Sequence, residues 1–325
     1  MPKKSVSART RFDELRAKLR LPIVVAPMFL VSGPEMVIGA ARAGVIGSFP
    51  PQNARTIDVF EEWLERISAE IRLIRNQQLP NTTDVWAQNL VVHSTYQRLD
   101  KELAVLQKYR PPIVITALGS PKRVIEAVHD YGGLVIADVN SVELARKAAD
   151  AGADGLALIS AGAGGHTGQM AAFAFVPAVR EFFDGILILA GSIGDGRTVR
   201  AAEIIGAELS YVGTPFIATT ESIAFEKYKQ MIVDSNFSDL VLTNSFTGAD
   251  AYYLRQSIIN AGLNPDKLEV KKGMNLTETN SSAKAWKDIW SAGQGVGSTT
   301  KIEPLAKIVD RLEDEYRSAC TPEDE

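Results

Sequence analysis

A histidine enclosed by glycines is the residue best suited to chemistry in this sequence. His166 stands in the run Ser160-Ala161-Gly162-Ala163-Gly164-Gly165-His166-Thr167-Gly168, directly after an apolar segment. Glycines lack a Cβ atom, so the backbone can approach a bound planar group closely. An imidazole titrates near neutral pH, which suits His166 for work as a general base. A loop histidine that only bonds to the backbone is the alternative interpretation.

Two pairs of a glycine and a hydroxyl residue predict a binding site for a phosphate. Gly191-Ser192 and Gly213-Thr214 each follow a short apolar run. Their backbone N–H groups and hydroxyls can bind an anion without help from Lys or Arg. The helix expected to begin near Asp195 would add the positive end of its dipole. Either pair alone could be only a turn, but two pairs after adjacent strands favour the phosphate site.

These residues need a scaffold that brings the ends of several strands together, and a repeat in the sequence indicates one. Three helical segments end at a glycine, namely Gly44, Gly152 and Gly206. A glycine at this place suits the left-handed cap that ends a helix before a strand. The intervals between them are 108 and 54 residues. Both are multiples of about 27 residues, which is the length of one strand-plus-helix unit of a barrel.

Eight apolar runs fit the strands that this period requires. The predicted strands are Pro22–Ala26, Val45–Ser48, Val85–Leu90, Ile113–Ala117, Leu134–Ala137, Gly155–Ile159, Ile186–Ala190 and Leu209–Val212. The clearest predicted helices between them are Ile57–Leu79, Pro121–Tyr131, Val142–Ala151 and Arg197–Ile205. Continuous apolar runs indicate parallel strands that are buried on both faces. Eight such units predict an α/β fold, the (β/α)8 TIM barrel, with an open doubly wound sheet as the alternative.

The regular pattern stops near residue 230 and divides the chain. We predict a barrel over residues 1–230, an inserted smaller lid subdomain over 231–300 and a helix over 301–325 that returns to the barrel. The inserted part is richer in Asn, Ser, Thr and Gly than the barrel. Its aromatic residues Phe246, Tyr252 and Tyr253 are expected to face the active site. In a barrel that site lies at the C-terminal ends of the strands, where the His166 loop falls.

Composition excludes several classes of protein. Lys plus Arg is 35 and Asp plus Glu is 39, which gives a net charge of −4 and argues against a nucleic-acid partner. The single cysteine, Cys320, excludes an internal disulfide and a multi-cysteine metal site, so no metal is expected. No apolar run reaches the length of a membrane span, and no signal-peptide core is present. We therefore expect a cytoplasmic protein without a membrane partner.

Several of these segments together resemble a known enzyme family. They are Ala26-Pro27-Met28, Gln88-Asn89-Leu90, the glycine run around His166, Ala190-Gly191-Ser192-Ile193-Gly194-Asp195-Gly196-Arg197 and Val212-Gly213-Thr214-Pro215-Phe216. They are similar to segments of the nitronate monooxygenases, formerly called 2-nitropropane dioxygenases. The resemblance covers residues from about 20 to about 265. It implies a (β/α)8 barrel that binds FMN and carries an extra lid domain.

The resemblance also implies a role for each matching residue. His166 would be the catalytic base, and Met28 and Asn89 would contact the flavin ring. The phosphate of FMN would be held by Gly191, Ser192, Gly213 and Thr214. Further cofactor contacts would come from Ala26, Pro27, Asp138, Ala163, Gly164 and Gly165. Asp138 departs from the family, which often has Thr there or a Lys nearby, and an acid at this place would alter the electronics of the flavin or the charge preference for substrate.

The implied activity is the oxidation of alkyl nitronates, and by extension of nitroalkanes, by O2 to carbonyl compounds and nitrite. The implied partners are thus a small-molecule nitronate or nitroalkane and O2, and a homodimer stays open. The alternative is an NAD(P)H-dependent flavin reductase of the enoyl-acyl-carrier-protein reductase or quinone reductase type, since those enzymes share the barrel and a similar glycine–histidine loop. A non-catalytic flavin-binding barrel is a third hypothesis, which the placement of His166 argues against.

Overall fold

Eight short parallel strands form a closed ring in the computed structural model, which describes residues 7–271 and 287–319. The strands in chain order are β1 (Ile23–Val25), β2 (Gly47–Phe49), β3 (Trp86–Val91), β4 (Ile113–Ala117), β5 (Leu134–Val139), β6 (Gly155–Ile159), β7 (Gly165–His166), β8 (Ile186–Ala190), β9 (Leu209–Val212), β10 (Leu240–Thr243) and β11 (Ala251–Leu254). The ring follows the order β1-β9-β8-β6-β5-β4-β3-β2. It closes where the Val25 N–H donates to the Ile46 carbonyl at 2.8 Å. The predicted (β/α)8 TIM barrel is confirmed.

Helices follow most of the barrel strands and cover the outside of the ring. They are α1 (Ala8–Arg16), α2 (Pro34–Arg42), α3 (Ile57–Gln77), α4 (Leu99–Tyr109), α5 (Lys122–His129), α6 (Val142–Asp150), α7 (Ala172–Arg180), α8 (Gly196–Ile204), α9 (Thr214–Ile217), α10 (Glu226–Asp234), α11 (Arg255–Asn260) and α12 (Leu305–Ser318). The three repeat glycines, Gly44, Gly152 and Gly206, have φ of 79°, 95° and 111°. Each lies in the left-handed region, as the helix-ending pattern predicted.

Apolar side chains fill the inside of the ring, so the barrel is a core and not a pore. The interior cluster includes Val24, Ile46, Ala87, Ile115, Ile136, Ala157, Ile188 and Leu209. Phe12 of α1 belongs to the same cluster and is only 1% exposed, so this first helix closes one end of the barrel. Because that end is closed, a ligand has to enter at the other end, where the strands finish.

A second, smaller sheet is built from the loop after β6 and from the later part of the chain. Strand β11 pairs with both β10 and β7 in antiparallel fashion, and Ala251 lies opposite His166. Tyr253 is fully buried and its ring meets that of Phe246 edge-on at 4.9 Å. These two aromatic residues therefore form the core of the small sheet. Residues 272–286 and 320–325, which include Cys320, lie outside the described residues.

The predicted division of the chain at residues 230 and 300 stays a prediction. Helix α10 runs across the first boundary, from Glu226 to Asp234. The segment around Gly293, predicted as part of the lid, touches a loop of the barrel itself, where the Gly293 N–H donates to the Thr214 hydroxyl. Helix α12 then packs against α8 on the outside of the ring.

Replacing Phe12 with alanine tests whether α1 is an integral part of the barrel core. Phe12→Ala should lower the free energy of unfolding by about 3–5 kcal/mol, because it opens a cavity at a fully buried aromatic position. Phe173→Ala is the matched control, since that ring is 74% exposed, and it should change stability by less than about 0.5 kcal/mol. Equal effects of the two variants in urea unfolding would show that α1 does not close the barrel.

Candidate active site

All predicted site residues lie at the C-terminal ends of the barrel strands, around the open mouth. By strand they are Ala26, Pro27 and Met28 at β1, Asn89 at β3, Asp138 at β5, Ala163, Gly164, Gly165 and His166 after β6, Gly191 and Ser192 after β8, and Gly213 and Thr214 after β9. This edge carries the active site of (β/α)8 enzymes. The parallel ring thus gathers residues that are far apart in the sequence.

The ends of β1 and β9 approach each other closely on one side of the mouth. A Cβ atom on Gly213 would lie 3.3 Å from the Met28 sulfur and 3.5 Å from the Ala26 Cβ atom. Two residues that sequence reasoning missed hold this turn. Met28 N–H donates to the Ser32 hydroxyl at 3.0 Å, and the Asn53 side chain donates to the Met28 carbonyl at 3.0 Å. Their spacing in the sequence carries no recognisable signal.

Free backbone donors are present where the phosphate was predicted. The amide N–H groups of Gly191, Gly213 and Thr214 have no protein acceptor among residues 7–271 and 287–319. Partly enclosed amides without a partner are rare in folded proteins and point to a ligand or water that accepts from them. The Thr214 hydroxyl accepts from the Gly293 N–H at 2.8 Å, so its own hydrogen can be donated to an anion. This donor set fits a phosphate ester.

The N-terminal end of α8 is placed as predicted, but its first donors are already used. Thr198 N–H donates to the Asp195 carboxylate at 2.8 Å, which caps the helix. Gly196 N–H donates to the Glu315 carboxylate of α12, also at 2.8 Å. Two carboxylates therefore occupy the positive end of this helix dipole. A bound phosphate would have to rely on the amides of the loops instead.

A glycine-rich segment that the sequence analysis assigned to the lid completes this side of the site. Gln294 N–H donates to the Gly162 carbonyl at 2.9 Å, and the Ser192 hydroxyl donates to the Gln294 side-chain carbonyl at 3.0 Å. The Gln294 amide group in turn donates to the Tyr252 hydroxyl at 2.8 Å. A cavity of about 440 Å³ lies beside Ser192 and Gln294. The run from Gly293 to Gly297, with its alternate glycines, was the signal that could have found this segment.

His166 is half-buried between the barrel and the small sheet. Its Nε2 atom lies 3.1 Å from the Thr247 hydroxyl, and that hydroxyl donates to the Ala249 carbonyl at 3.2 Å. A hydroxyl has one hydrogen, so we assign Nε2 as the protonated nitrogen, which donates to Thr247. Burial lowers the pKa of His166 below its usual 6.5. The imidazole is therefore neutral at pH 7, the state that a general base requires.

Asp138 lies on the inner side of β5, next to Ala157 of β6 in the register of the sheet. Its Oδ1 atom is enclosed and has no hydrogen-bond partner among the described residues, although the residue keeps a partly accessible edge. Burial raises the pKa of Asp138 to about 8. The carboxyl group is therefore protonated at neutral pH, and it is a hydrogen-bond donor rather than a negative charge.

The structure does not join all predicted residues into one set of contacts. Among the described residues, the phosphate-side loops are linked to one another through Gly162, Gln294 and Thr214. Asn89 is buried and donates to the Ile115 carbonyl at 3.2 Å, and no hydrogen bond in the described part of the chain connects it to those loops. A ligand that contacted both groups of residues would have to span the mouth.

The fold and the mouth define a (β/α)8 barrel with a donor set that fits a phosphate ester and a neutral histidine at the same mouth. Comparison with known proteins refines this class. The family model for nitronate monooxygenase matches residues 13–315, and the chain belongs to the nitronate monooxygenase family. Members of this family are flavoenzymes that oxidise nitronates or nitroalkanes, so the protein is an oxidoreductase. The predicted family is confirmed, over a longer part of the chain than the recognised segments cover.

Individual relatives agree with the family assignment. The chain is 28% identical to the nitronate monooxygenase of Neurospora crassa, over 72% of this chain and 71% of that protein. It is 24% identical to a probable nitronate monooxygenase of Staphylococcus haemolyticus, over 70% and 69%. It is also 26% identical to a Rhodococcus jostii protein named as an indene-carboxyl-CoA dehydrogenase, over 78% and 67%. The sequence relatives therefore include more than one type of oxidoreductase.

Two solved structures share the fold over almost the whole chain. The nitroalkane oxidase from Streptomyces ansochromogenes has a TM-score of 0.73 and 23% identity, and covers 97% of this chain and 99% of its own. FabK from Thermotoga maritima has a TM-score of 0.73 and 24% identity, with 97% of each chain covered. At this level of identity, the two structures show a common fold.

None of the helices in residues 7–271 and 287–319 is long and apolar enough to cross a membrane. Within those ranges, no group of three or more His, Cys, Asp or Glu side chains is arranged to hold a metal ion.

Replacing Thr247 tests the assigned orientation of His166. Thr247→Val removes the acceptor for Nε2–H and should lower kcat/KM for a neutral nitroalkane about tenfold, a part of the 10²–10⁴-fold that a general base contributes. Thr247→Ser keeps the hydroxyl and should retain most of the activity. If valine and serine variants behave alike in oxygen-consumption assays, Thr247 does not position the imidazole.

Proposed function

We propose that the protein binds FMN and oxidises alkyl nitronates with O2 to carbonyl compounds and nitrite. The observation that carries the proposal is a neutral, half-buried His166 at the same mouth as the amides of Gly191, Gly213 and Thr214, which have no acceptor in the described part of the chain. The family match supports the class of substrate. FMN, when bound, would supply the one-electron oxidation of the nitronate and its reaction with oxygen.

The residues of the chain would position and deprotonate the substrate. The loop amides and the Thr214 hydroxyl would hold the phosphate, and the Ser192 hydroxyl would join them by exchanging its hydrogen bond to Gln294 for one to the phosphate. Ala26, Pro27, Met28, Asn89 and Asp138 would line the flavin. Gly164 packs closely against Gly293, since a Cβ atom on Gly164 would lie 2.7 Å from the Gly293 nitrogen. This packing fixes the position of the His166 loop at the mouth. His166 would take the α-proton of a neutral nitroalkane, a step that a preformed nitronate does not need.

The small sheet would serve as the lid of this site. It carries His166 on β7 and reaches the phosphate side through the hydrogen bond between Tyr252 and Gln294. A barrel mouth covered in this way excludes water from the reacting groups. We therefore keep the predicted lid role for residues 231–300, with the segment around Gln294 assigned to the cofactor side.

A flavin reductase that uses NAD(P)H is the second candidate function. One of the sequence relatives is named as a dehydrogenase, so relatives of similar identity carry other redox activities. This observation favours retaining the reductase as a candidate. Anaerobic mixing separates the two candidates. A nitronate should bleach the bound flavin within the time of turnover, whereas rapid bleaching by NADH or NADPH but not by nitronates would favour the reductase.

The bound cofactor should be noncovalent FMN. Protein supplied with FMN should be yellow, and the extracted flavin should be FMN when it is separated from FAD by chromatography. The double change Ser192→Glu with Thr214→Glu should abolish retention, because two carboxylates would face the phosphate. The matched control Ser192→Gln with Thr214→Gln has the same size and the same backbone strain at Ser192, whose φ is 58°, but no charge, so it should retain more flavin than the glutamate pair. Extraction of FAD, or a folded protein that retains no flavin, would refute the assignment.

His166 should matter most for substrates that still carry their α-proton. His166→Ala should lower kcat/KM for neutral nitroethane by about 10²–10⁴-fold and change the rate with preformed ethylnitronate much less. Since burial lowers the pKa of His166, the acid limb of the nitroethane profile should lie below pH 6.5 in the wild type. Equal losses on both substrates at normal flavin content would mean that His166 binds the anion instead of acting as a base.

A further inference from the structure

The inner wall of the barrel mouth carries an acidic side chain, Asp138, that the proposed function places along the flavin without a chemical role. Asp138 occupies an interior position at the end of β5, one level above Ile136, which belongs to the apolar interior cluster. Its neighbours in register are apolar as well, since Ala157 lies beside it on β6. An ionisable group in such surroundings is costly unless it is neutral or has a partner.

No such partner is found in the described part of the chain. Oδ1 of Asp138 and the hydroxyl of Tyr211 are both enclosed and both lack a hydrogen-bond partner among the described residues. Tyr211 lies on β9 and is 6% exposed; burial, and then the nearby Asp138, raise the pKa of its hydroxyl well above 10. Tyr211 is the titratable group that faces Asp138, whereas the flanking strands β4 and β6 present Ile115, Ala157 and Ile159. Nothing here supplies a positive charge.

The accessible edge of Asp138 therefore faces the mouth of the barrel. An unpaired polar group buried among apolar side chains destabilises the fold, so its presence calls for a ligand that completes its hydrogen bonding. A flavin ring offers carbonyl oxygens and ring nitrogens that accept hydrogen bonds. A protonated carboxyl can donate to such an acceptor, whereas an ionised one would repel it.

We propose that Asp138 is held as a neutral carboxylic acid and donates a hydrogen bond from the barrel wall to the bound flavin. The proposal rests on the proposed FMN site and adds to it a donor that is lost when pH rises. A side chain without an acidic proton at this position would bind the same flavin without this dependence on pH.

The affinity for FMN measured against pH tests the proposal without any assay of turnover. The burial-raised pKa of Asp138, about 8, predicts that the dissociation constant of FMN rises about tenfold between pH 7 and pH 9, if only the protonated form binds. Asp138→Asn keeps a donor that does not ionise, so its dissociation constant should change by less than about twofold over the same range. The exposed Asp130→Asn at the end of α5 is the matched control and should keep the tenfold rise.

A second measurement on the protein without flavin protects the test against a variant that folds poorly. The folded-state pKa of Asp138 lies above its unfolded value of 3.8, so the folded state binds the extra proton between about pH 4 and pH 8. The extra proton therefore stabilises the folded state fully below the unfolded pKa of 3.8, and this stabilisation is lost as pH rises through the folded pKa of about 8. The difference in unfolding free energy between Asp138→Asn and the wild type should therefore grow, in favour of the variant, between pH 5 and pH 8.

The outcomes separate this proposal from the proposed function. The role of Asp138 is supported if the dissociation constant of FMN rises tenfold in the wild type and this rise is abolished in Asp138→Asn. FMN binding that is independent of pH in the wild type, or a rise that Asp138→Asn retains, overturns the role of Asp138 and leaves the FMN site intact. If folded wild-type protein binds no FMN at pH 7, the proposed cofactor fails, and the role of Asp138 fails with it.

Discussion

Closure of the parallel ring is the constraint on which the rest of the structure depends. Backbone hydrogen bonds between β1 and Ile46, the residue before β2, complete a ring whose other strands pair in sequence order around the barrel. Because the strands are parallel, their C-terminal ends all lie at the same edge of the ring. The loops after β6, β8 and β9 therefore meet at one mouth, while Phe12 of α1 fills the opposite end.

Close contact between loops gives that mouth its fixed shape. Gly162, Gly164 and Gly293 pack so tightly that a side chain at any of them would collide with a neighbouring loop. Hydrogen bonds through Gln294 then join the phosphate side to Tyr252, which lies in register with Gly165 beside His166. Donors that are held in place before the ligand arrives need little reorganisation on binding, which favours both cofactor retention and catalysis.

Chemistry in this family is decided by the site rather than by the barrel. The same fold occurs in a nitroalkane oxidase and in FabK, and a dehydrogenase is among the sequence relatives. Two local features of this chain bear on its chemistry: a histidine kept neutral by burial and bonded to Thr247, and an acid inside the barrel wall at Asp138. Both groups have their protonation state set by their surroundings and not by the type of residue alone.

The sequence by itself determined the barrel and most of the mouth. Apolar runs, helix-ending glycines such as Gly152 and the loop around His166 are local signals, because each depends on backbone conformation and burial over a few residues. Only the tertiary structure decided the contacts between distant segments. It assigned Gln294 to the phosphate side and used the first donors of α8 for Asp195 and Glu315. It also gave His166 its partner Thr247, 81 residues away. Such pairings depend on how loops meet in space, and no spacing along the chain encodes that distance.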